Sequence, residues 1–222
     1  MDDDLERRAA LHAALGEPVR LAMVEDLATT DRSPTELGRR FDLAQNLLAH
    51  HLDVLERVGL IERFVSSGDR RRRYVRLDTA RLAELGTATA RPAGRVLFVC
   101  THNSARSQLA AALWQARTGE VAHSAGTHPA PAVHPGAVAA AARAGLDLSG
   151  ARPHHLTEVP GGDLVVTVCD RAHEELDVDD SWWHWSITDP VPAGTDDAFD
   201  DAIDHLDNRI RGLTQGGRTH AP

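Results

Sequence analysis

The sequence predicts two domains, a mainly α domain in the N-terminal half and an α/β domain with a four-stranded parallel sheet in the C-terminal half. A length of 222 residues suits one or two domains of about 100 to 200 residues each. Apolar residues recur at helical spacing up to Val58, whereas short unbroken apolar runs alternate with helical segments after Arg95. The two halves also differ in charge: residues 1–90 hold 14 Arg and 16 acidic residues, whereas residues 91–222 hold 10 Arg and 17 acidic residues.

Composition excludes several classes of protein. The net charge of −9 argues against a generic nucleic-acid coat. No run of about 18 apolar residues occurs, and the chain opens with Met1-Asp2-Asp3-Asp4 rather than with a basic and then an apolar stretch, so we expect a cytoplasmic protein. Two cysteines, Cys100 and Cys169, are too few for a disulfide scaffold or a four-thiolate zinc site.

Four helices are predicted before residue 60. The first covers residues 5–15, and Pro18 lies in the first turn of the second, where its missing N–H costs nothing. Ser33-Pro34-Thr35-Glu36 is a capping box that starts a short third helix. From Ala44, apolar residues recur three and four apart until Gly59, a residue suited to a helix C-terminus. Short helix, turn and amphipathic helix in this order are typical of a helix-turn-helix.

A β-hairpin is predicted next, from the extended segments Leu60–Ser66 and Arg72–Leu77 and the turn-forming Gly68 and Asp69 between them. Its tip carries four consecutive basic residues, Arg70, Arg71, Arg72 and Arg73. A short packing helix follows to about residue 85. We therefore assign a winged helix-turn-helix DNA-binding domain to residues 1–85, a linker to 86–94 and the second domain to 95–222.

The N-terminal half resembles the winged helix of the ArsR/SmtB family of repressors. The residues that carry the resemblance are Pro34–Leu37, Leu48–Leu55, Gly59–Ile61 and Arg72–Leu77. The resemblance implies a dimer in which the helix from Ala44 to Val58 enters the major groove of an operator. The DNA-contacting residues would be Gln45, Asn46, Ala49 and His50 at the bases, and Arg70, Arg71, Arg72 and Arg73 at the phosphates.

The usual inducer sites of that family are missing, since residues 1–99 contain no cysteine and residues 78–95 contain no histidine. A run of arginines on a hairpin, taken alone, most often lies in a solvated loop without a binding role. Because this run follows a helix-turn-helix, contact with DNA phosphates is the favoured interpretation.

The C-terminal half opens with Val96-Leu97-Phe98-Val99, as expected for a central parallel strand buried on both faces. The strand leads directly into Cys100–Ser107, and helical periodicity follows from Gln108. A Cys-x5-Arg loop between a strand and a helix is a cradle for a phosphate-type anion, because loop N–H groups point inward and the helix adds its positive end. The same donors are expected to lower the pKa of Cys100 and leave a nucleophilic thiolate. The alternative is a buried structural cysteine.

The rest of the chain alternates strands and helices, which predicts an open parallel sheet with helices on both faces. The predicted elements are strands at 121–125, 164–168 and 183–187 and helices at 135–144 and 196–213. Active sites in such sheets lie at the carboxyl ends of strands. Cys100, Cys169 and Asp189 each follow a predicted strand, so they are expected to lie at one edge.

This half resembles the low-molecular-weight tyrosine phosphatase superfamily and, within it, the arsenate reductases. The matching motifs are Cys100–Gln108, Ser124–Thr127, Gly145–Gly150, Asp163–Asp170, Asp189-Pro190 and Gly194-Thr195. Phosphatases of this superfamily follow Asp-Pro with aromatic residues that grip a phenol ring. Val191-Pro192-Ala193 stands there instead, which favours a small oxyanion such as arsenate.

The resemblance implies three catalytic residues: Cys100 attacks arsenic(V), Arg106 holds its oxygens and Asp189 protonates the departing oxygen. The remaining loop residues would bind the substrate: Thr101, His102, Asn103, Ser104, Ala105 and Ser107. Among these, Asn103 is expected to fix the loop through side-chain hydrogen bonds, and Ser107 to donate to the Cys100 thiolate. For Asp189, a role as a turn or cap residue stays open.

The cysteine count bears on how a Cys100–arsenate adduct would be resolved. Thioredoxin-coupled relatives use three cysteines, but Leu176 or a neighbour stands where the third would lie, and Ala105 replaces a further loop cysteine. Relatives with a loop histidine, as His102 is here, use mycothiol and a mycoredoxin. We therefore expect no bound cofactor and an external thiol reductant, with thioredoxin less favoured. A Cys100–Cys169 disulfide and a purely structural Cys169 are the alternatives.

The histidines of the C-terminal half share no tight metal spacing, so no metal is expected and surface or loop positions are predicted for them. They are His102, His123, His128, His134, His154, His155, His173 and His184. Trp182, Trp183 and Trp185 are interpreted as core packing rather than as a stacking platform.

Together the halves predict an arsenate reductase fused to a transcriptional regulator in arsenic resistance, with DNA, arsenate and a thiol or redoxin as partners. Two other functions stay open: a regulator whose reductase-like domain senses oxyanions or redox state, and a protein tyrosine phosphatase.

Overall fold

The computed structural model describes residues 3–83, 95–157, 164–176, 178 and 181–215. The helices and strands before residue 84 form one compact unit, and those from residue 95 form another. The predicted linker at 86–94 lies outside the described residues. None of the helices in the described ranges combines the length and the apolar character needed to cross a bilayer.

The N-terminal unit is a mainly α winged helix-turn-helix, as predicted. Its elements are α1 (Asp3–Leu15), α2 (Pro18–Leu27), α3 (Pro34–Arg40), α4 (Gln45–Arg57), β1 (Ile61–Val65), β2 (Arg73–Leu77) and α5 (Thr79–Ala83). The capping box at Ser33 is present, and Gly59 adopts a left-handed φ of 74° just after α4. The strands pair antiparallel with Phe64 opposite Tyr74, and the buried faces of the helices meet in one core that includes Leu27, Leu37 and Leu52.

The C-terminal unit has the predicted α/β fold. Its elements are β3 (Val96–Cys100), α6 (Arg106–Thr118), β4 (Ala122–Gly126), α7 (Pro135–Arg143), β5 (Leu164–Thr167), α8 (Asp170–Glu175), β6 (Trp183–His184) and α9 (Asp196–Gln215). The strands form a four-stranded parallel sheet in the order β4-β3-β5-β6. The short helix α8 was not predicted, and β6 is only two residues long rather than extending to Ile187.

Strand β3 is the centre of this unit because its side chains are buried on both faces of the sheet. Val96 and Phe98 belong to the larger core, which contains residues of α6, α7 and α9, whereas Leu97 and Val99 belong to a smaller core on the other face. Trp185 is 1% exposed and packs on Phe98 with ring centroids 5.7 Å apart, which confirms its assignment to the core. The rigid central strand therefore delivers its last residue, Cys100, to a fixed position at the carboxyl edge of the sheet.

Candidate active site

The loop between β3 and α6 turns its carbonyl groups outward. The carbonyls of Cys100, Thr101, His102 and Ser104 accept hydrogen bonds from backbone N–H groups of the segment 127–134, at 2.8 to 3.2 Å. Because the peptide carbonyls face that segment, the N–H groups between them face the centre of the loop, where they form a concave anion-binding arrangement. The N-terminal end of α6, which begins at Arg106, adds its positive dipole to the same place.

Asn103 fixes the shape of this loop. It adopts a left-handed φ of 47°, a conformation that asparagine tolerates better than most residues. Its Nδ2 donates to Ser107 Oγ at 2.8 Å, and its Oδ1 accepts from Gln108 Nε2 at 3.1 Å and from the N–H of His154 at 2.8 Å. The side-chain hydrogen bonds predicted for Asn103 are therefore present.

Gly126 lets β4 approach the loop closely. A Cβ at this position would lie 2.8 Å from the carbonyl oxygen of Thr101, closer than real Cβ contacts allow, and 3.0 Å from Cβ and N of Asn103, which is also tight. Within the Ser124–Thr127 motif, Gly126 thus contributes backbone without a side chain, and the loop at 100–107 packs directly against it.

The Cys100 thiol is 2% exposed and lies among hydrogen-bond donors. The N–H of Asn103 donates to Cys100 Sγ at 3.1 Å, and Ser107 Oγ lies 3.0 Å from the sulfur. Burial nevertheless raises the pKa of Cys100 above its ordinary value, although the charge of Arg106 and the hydrogen bonds of Ser107 oppose that shift. The expectation of a lowered pKa was wrong for this reason: desolvation outweighs the donors around the sulfur.

Arg106 is held at the edge of the loop by two partners. Its Nη1 donates to the carbonyl of Ile187 at 3.0 Å and its Nη2 to Asp189 Oδ2 at 2.8 Å. Burial by itself lowers the pKa of Arg106, but electrostatic interactions with its neighbours, Asp189 among them, raise it overall. The structure therefore brings Cys100, Arg106 and Asp189 together with Arg106 charged.

Cys169 lies beside the same loop at the N-terminus of α8. Its sulfur is 3.1 Å from Thr101 Oγ1 and accepts the N–H of Ala172 at 3.3 Å. At 1% exposure it is as deeply buried as Cys100, and both cysteines are free thiols. Cys169 is thus placed next to the site but acts in this geometry as a helix cap.

The other loop residues have different degrees of exposure. Thr101, Asn103, Ala105 and Ser107 are buried, Ser104 is half-buried and His102 is exposed. His102 Nδ1 lies 3.0 Å from the carbonyl oxygen of His128, which can only accept. The imidazole ring of His102 is thus the exposed side chain of this loop.

Two histidines contradict the predicted surface positions. His173 and His184 are 6% and 0% exposed and stack with ring centroids 4.1 Å apart. The Thr167 hydroxyl lies 3.1 and 2.9 Å from their Nδ1 atoms, and His184 Nε2 lies 3.2 Å from Asp170 Oδ1. Polar partners on β5 and α8 therefore allow these rings to be buried. Within the described ranges, no three His, Cys, Asp or Glu side chains form a group that could hold a metal ion.

In the N-terminal unit, the predicted DNA-contacting residues are all exposed. On α4 they are Gln45, Asn46, Ala49 and His50, and at the hairpin tip they are Arg70, Arg71, Arg72 and Arg73. His51, adjacent to His50, is 6% exposed and faces the core, so the pair does not share a surface.

Comparison with known proteins matches residues 95–219, more than half of the chain, to the low molecular weight phosphotyrosine protein phosphatase family. The chain belongs to this family. Residues 15–63 match a helix-turn-helix domain. The protein is thus a fusion of a helix-turn-helix domain with a low molecular weight phosphatase domain.

Relatives of the phosphatase-family domain include reductases. An arsenate reductase of Halalkalibacterium halodurans is 32% identical over 135 residues, which cover 55% of this chain and 96% of that protein. An arsenate reductase of Bacillus subtilis is 30% identical over the same length and the same shares. The crystal structure of an arsenate reductase from Archaeoglobus fulgidus is 30% identical with a TM-score of 0.47, covering 54% of this chain and 98% of that chain.

Several features of the phosphatase-family site were not predicted. They are the carbonyl of Ile187 as a partner of Arg106, the steric role of Gly126, and Gln108 and the His154 N–H as the groups that hold Asn103. Gln108 directly follows the Cys-x5-Arg-Ser loop on α6, which was the one available signal in the sequence. The others depend on segments distant along the chain.

Proposed function

We propose that the C-terminal domain reduces arsenate to arsenite with electrons from an external thiol. The observation that carries the proposal is the convergence of a buried thiol, a charged guanidinium and a carboxylate on one anion-binding loop, at Cys100, Arg106 and Asp189. The similarity to arsenate reductases supports this reaction over others of the family. Val191, Pro192 and Ala193 beside Asp189 offer no aromatic ring to grip a phenol, which also favours a small oxyanion.

In the proposed reaction, Cys100 gives its thiol proton to the Asp189 carboxylate and its sulfur attacks arsenic. Asp189 passes that proton to a hydroxyl group of arsenate, which leaves as water, and a Cys100–arsenic(V) adduct forms. Arg106 and the loop N–H groups hold the remaining oxygens. The thiolate of an external thiol then attacks the Cys100 sulfur. The electron pair of the S–As bond leaves with arsenic, which becomes arsenite, and a mixed disulfide with Cys100 remains. A second thiol, supplied by a redoxin, reduces that disulfide.

The external thiol is favoured by the cysteine inventory. Two thiols are present in the chain, and Leu176 or a close neighbour stands where a third is expected in thioredoxin-coupled relatives. Mycothiol with a mycoredoxin is the proposed couple. A transient Cys100–Cys169 disulfide is the competing route, because both sulfurs lie at the same loop.

The deciding experiment measures arsenite formation by the full-length protein, with mycothiol plus mycoredoxin in one arm and thioredoxin in the other. Cys100→Ser should abolish the reaction, and Cys169→Ser should retain it in the mycothiol arm. Loss of activity in Cys169→Ser would favour the disulfide route. Hydrolysis of an aryl phosphate without arsenate-dependent consumption of reductant would contradict arsenate reduction and favour a phosphatase.

We further propose that the N-terminal domain is a dimeric regulator that binds an operator of arsenic-resistance genes. The exposed residues at the start of α4 and the arginines of the hairpin tip support DNA binding. A gel shift on the DNA upstream of the protein's own gene, with and without arsenite, tests it. Absence of a shift at low salt would contradict a working repressor, whereas the enzymatic proposal would be unaffected.

A further inference from the structure

A second concave site lies in the C-terminal domain, outside the catalytic loop. It is a cavity of about 340 Å³ between α6, β4 and the segment 147–154, a size within the range of small-molecule pockets, about 300 to 1,000 Å³. Polar side chains line most of it: Gln115, His123, Ser124, Asp147, Arg152 and His154. Neither the proposed reaction nor DNA binding uses the side chains of these residues.

The basic side chains that line this cavity have no partner within the part of the chain that the structure describes. Among the described residues, the side chains of Arg152, His123 and His154 make no hydrogen bond or ion pair. Each of the three is exposed and can therefore reach a ligand in the cavity. Arg143, the last residue of α7, is by contrast paired with Asp200 at 2.8 Å. A guanidinium with five donors and no acceptor at the wall of a cavity is suited to carboxylates and phosphates.

The remaining lining groups point to a hydroxylated ligand. Gln115 and Ser124 can donate and accept hydrogen bonds, and neither side chain has a partner among the described residues. Asp147 accepts the N–H of Ser149 at 2.8 Å, which holds the pKa of its carboxyl below the ordinary value, and the charged carboxylate can also accept from a hydroxyl group. The ligand class that fits is a small organic anion bearing hydroxyl groups, such as a sugar phosphate or a sugar acid.

The cavity is connected to Cys100 by a short series of hydrogen bonds. Gln108 lines the cavity, and its Nε2 donates both to the carbonyl of Arg152 at 3.0 Å and to Asn103 Oδ1 at 3.1 Å. The N–H of His154 donates to the same Oδ1. From Asn103 the series continues to Ser107 Oγ, which lies 3.0 Å from the Cys100 sulfur. A ligand that displaces the backbone at 152–154 therefore acts on the residue that shapes the catalytic loop.

We propose that this cavity is an effector site, where a small hydroxylated organic anion binds Arg152 and changes the reactivity of Cys100 through Gln108 and Asn103.

The binding test uses the full-length protein and four probes: glucose 6-phosphate, gluconate, neutral glucose and inorganic phosphate. We expect saturable amide chemical-shift changes at residues 122–124 and 147–154 with both organic anions and none with glucose. A response to only one of them distinguishes a phosphate ester from a carboxylate as the ligand. Inorganic phosphate should perturb residues 100–107 of the catalytic loop instead. Changes confined to the catalytic loop with every probe would overturn the proposal.

Two variants and a control separate the site from general charge effects. Arg152→Gln should weaken binding of the organic anion about tenfold or more, since charge-assisted hydrogen bonds are lost. Ala112→Leu should weaken it by filling the cavity without any change of charge. Arg57→Gln on α4 removes the same charge from the other domain and should leave binding unchanged. An unchanged dissociation constant in Arg152→Gln would also overturn the proposal.

Coupling is measured as the rate of alkylation of Cys100 by iodoacetamide, followed by peptide mass spectrometry. The bound ligand should change this rate in the wild type and have no effect in Arg152→Gln. Binding without any change in the rate would overturn the effector role. This readout needs no arsenate, and Arg152→Gln should reduce arsenate normally without ligand, so the outcome is independent of the proposed reductase activity.

Discussion

The guanidinium of Arg106 donates to the carboxylate of Asp189 at 2.8 Å, although 83 residues separate them in the chain. The same guanidinium is the cation that the proposed reaction needs for the oxygens of arsenate. Asp189 also accepts the N–H of Val191 at 3.1 Å, so its position is fixed by its own turn. We therefore expect an arriving oxyanion to compete with Asp189 for Arg106, so that the carboxylate proposed to assist turnover also opposes anion binding.

Substitution Asp189→Asn is expected to separate these two effects. Removing the charge should tighten phosphate or arsenate binding up to about fivefold, because a part-exposed ion pair contributes up to roughly 1 kcal/mol. Turnover should fall by about 10²- to 10⁴-fold through loss of the proton donor. Calorimetric titration with phosphate and steady-state arsenate reduction measure the two. Asp204→Asn on α9 is the matched control, and weaker anion binding in Asp189→Asn would refute the competition.

The reactivity of Cys100 should depend on pH in a manner set by its raised pKa. Since burial favours the protonated thiol, alkylation by iodoacetamide should stay slow at neutral pH and continue to rise above about pH 8.5, the ordinary value of a free thiol. Ser107→Ala should move the profile to still higher pH, because the hydrogen bonds of Ser107 lower the pKa. Peptide mass spectrometry after timed alkylation gives the rate. A profile that levels off near neutral pH would contradict the prediction.

Gly126→Ala should disturb the catalytic loop through steric contact alone. The added Cβ would lie 2.8 Å from the Thr101 carbonyl oxygen, so the loop or β4 must shift, and overpacking of this kind costs about 1 to 3 kcal/mol. We expect a lower denaturation midpoint together with weaker phosphate binding. Gly150→Ala is the control, since nothing lies within 4 Å of its Cβ position. Equal midpoints and affinities for both variants would show that the close approach is unimportant.

The elements that depend only on neighbouring residues could be predicted from the sequence. Strand, Cys-x5-Arg loop and helix follow one another directly, so β3, the loop and α6 could be predicted from periodicity and from the geometry of a helix N-terminus. The capping box at Ser33 and the glycine after α4 likewise need only neighbouring residues. The domain order and the parallel sheet followed from the alternation of these elements.

Features that depend on contacts between separate elements of the fold could not be predicted from local sequence patterns. Helix α8 is six residues long and is capped by Cys169, a residue that carries no capping signal. His173 and His184 were assigned to the surface because they share no metal spacing in the sequence. Their burial depends on hydrogen-bonding distances to Thr167 and, for His184, to Asp170, which form only when β5, α8 and β6 come together. The raised pKa of Cys100 has a similar cause, since the degree of burial cannot be derived from the donors in the loop sequence.

Asp170→Ala should destabilise the C-terminal domain. The side chains of Asp170 and His184 are buried, and Asp170 Oδ1 lies 3.2 Å from His184 Nε2. Removing one member of a buried pair costs about 3 to 5 kcal/mol. Burial by itself raises the pKa of Asp170, but the hydrogen bonds and charge of His184 and the Ser186 hydrogen bond lower it overall. A lowered pKa stabilises the folded state above the unfolded value of about 3.9, and this contribution is lost as the pH falls further.

Urea unfolding at pH 7 and pH 3.5 measures this effect, and Asp201→Ala on the exposed face of α9 is the control. All four tryptophans lie between residues 114 and 185, so their fluorescence reports on the C-terminal domain alone. The difference between wild type and Asp170→Ala should be large at pH 7 and smaller at pH 3.5. A difference that grows at low pH would have the wrong sign for a carboxylate with a lowered pKa.

Substitution of the arginines at the hairpin tip should weaken DNA binding without changing sequence preference. Arg72 and Arg73 are exposed, and phosphate contacts position a protein on DNA but do not read bases. Removing one arginine–phosphate interaction should reduce the slope of log affinity against log salt by about 1. Fluorescence anisotropy at several salt concentrations, on the upstream fragment and on a scrambled one, measures both quantities. Arg152→Ala removes the same charge from the other domain and should leave the slope unchanged. If Arg72→Ala and Arg73→Ala also leave it unchanged, the hairpin does not contact the phosphates, and DNA binding must depend on α4 alone.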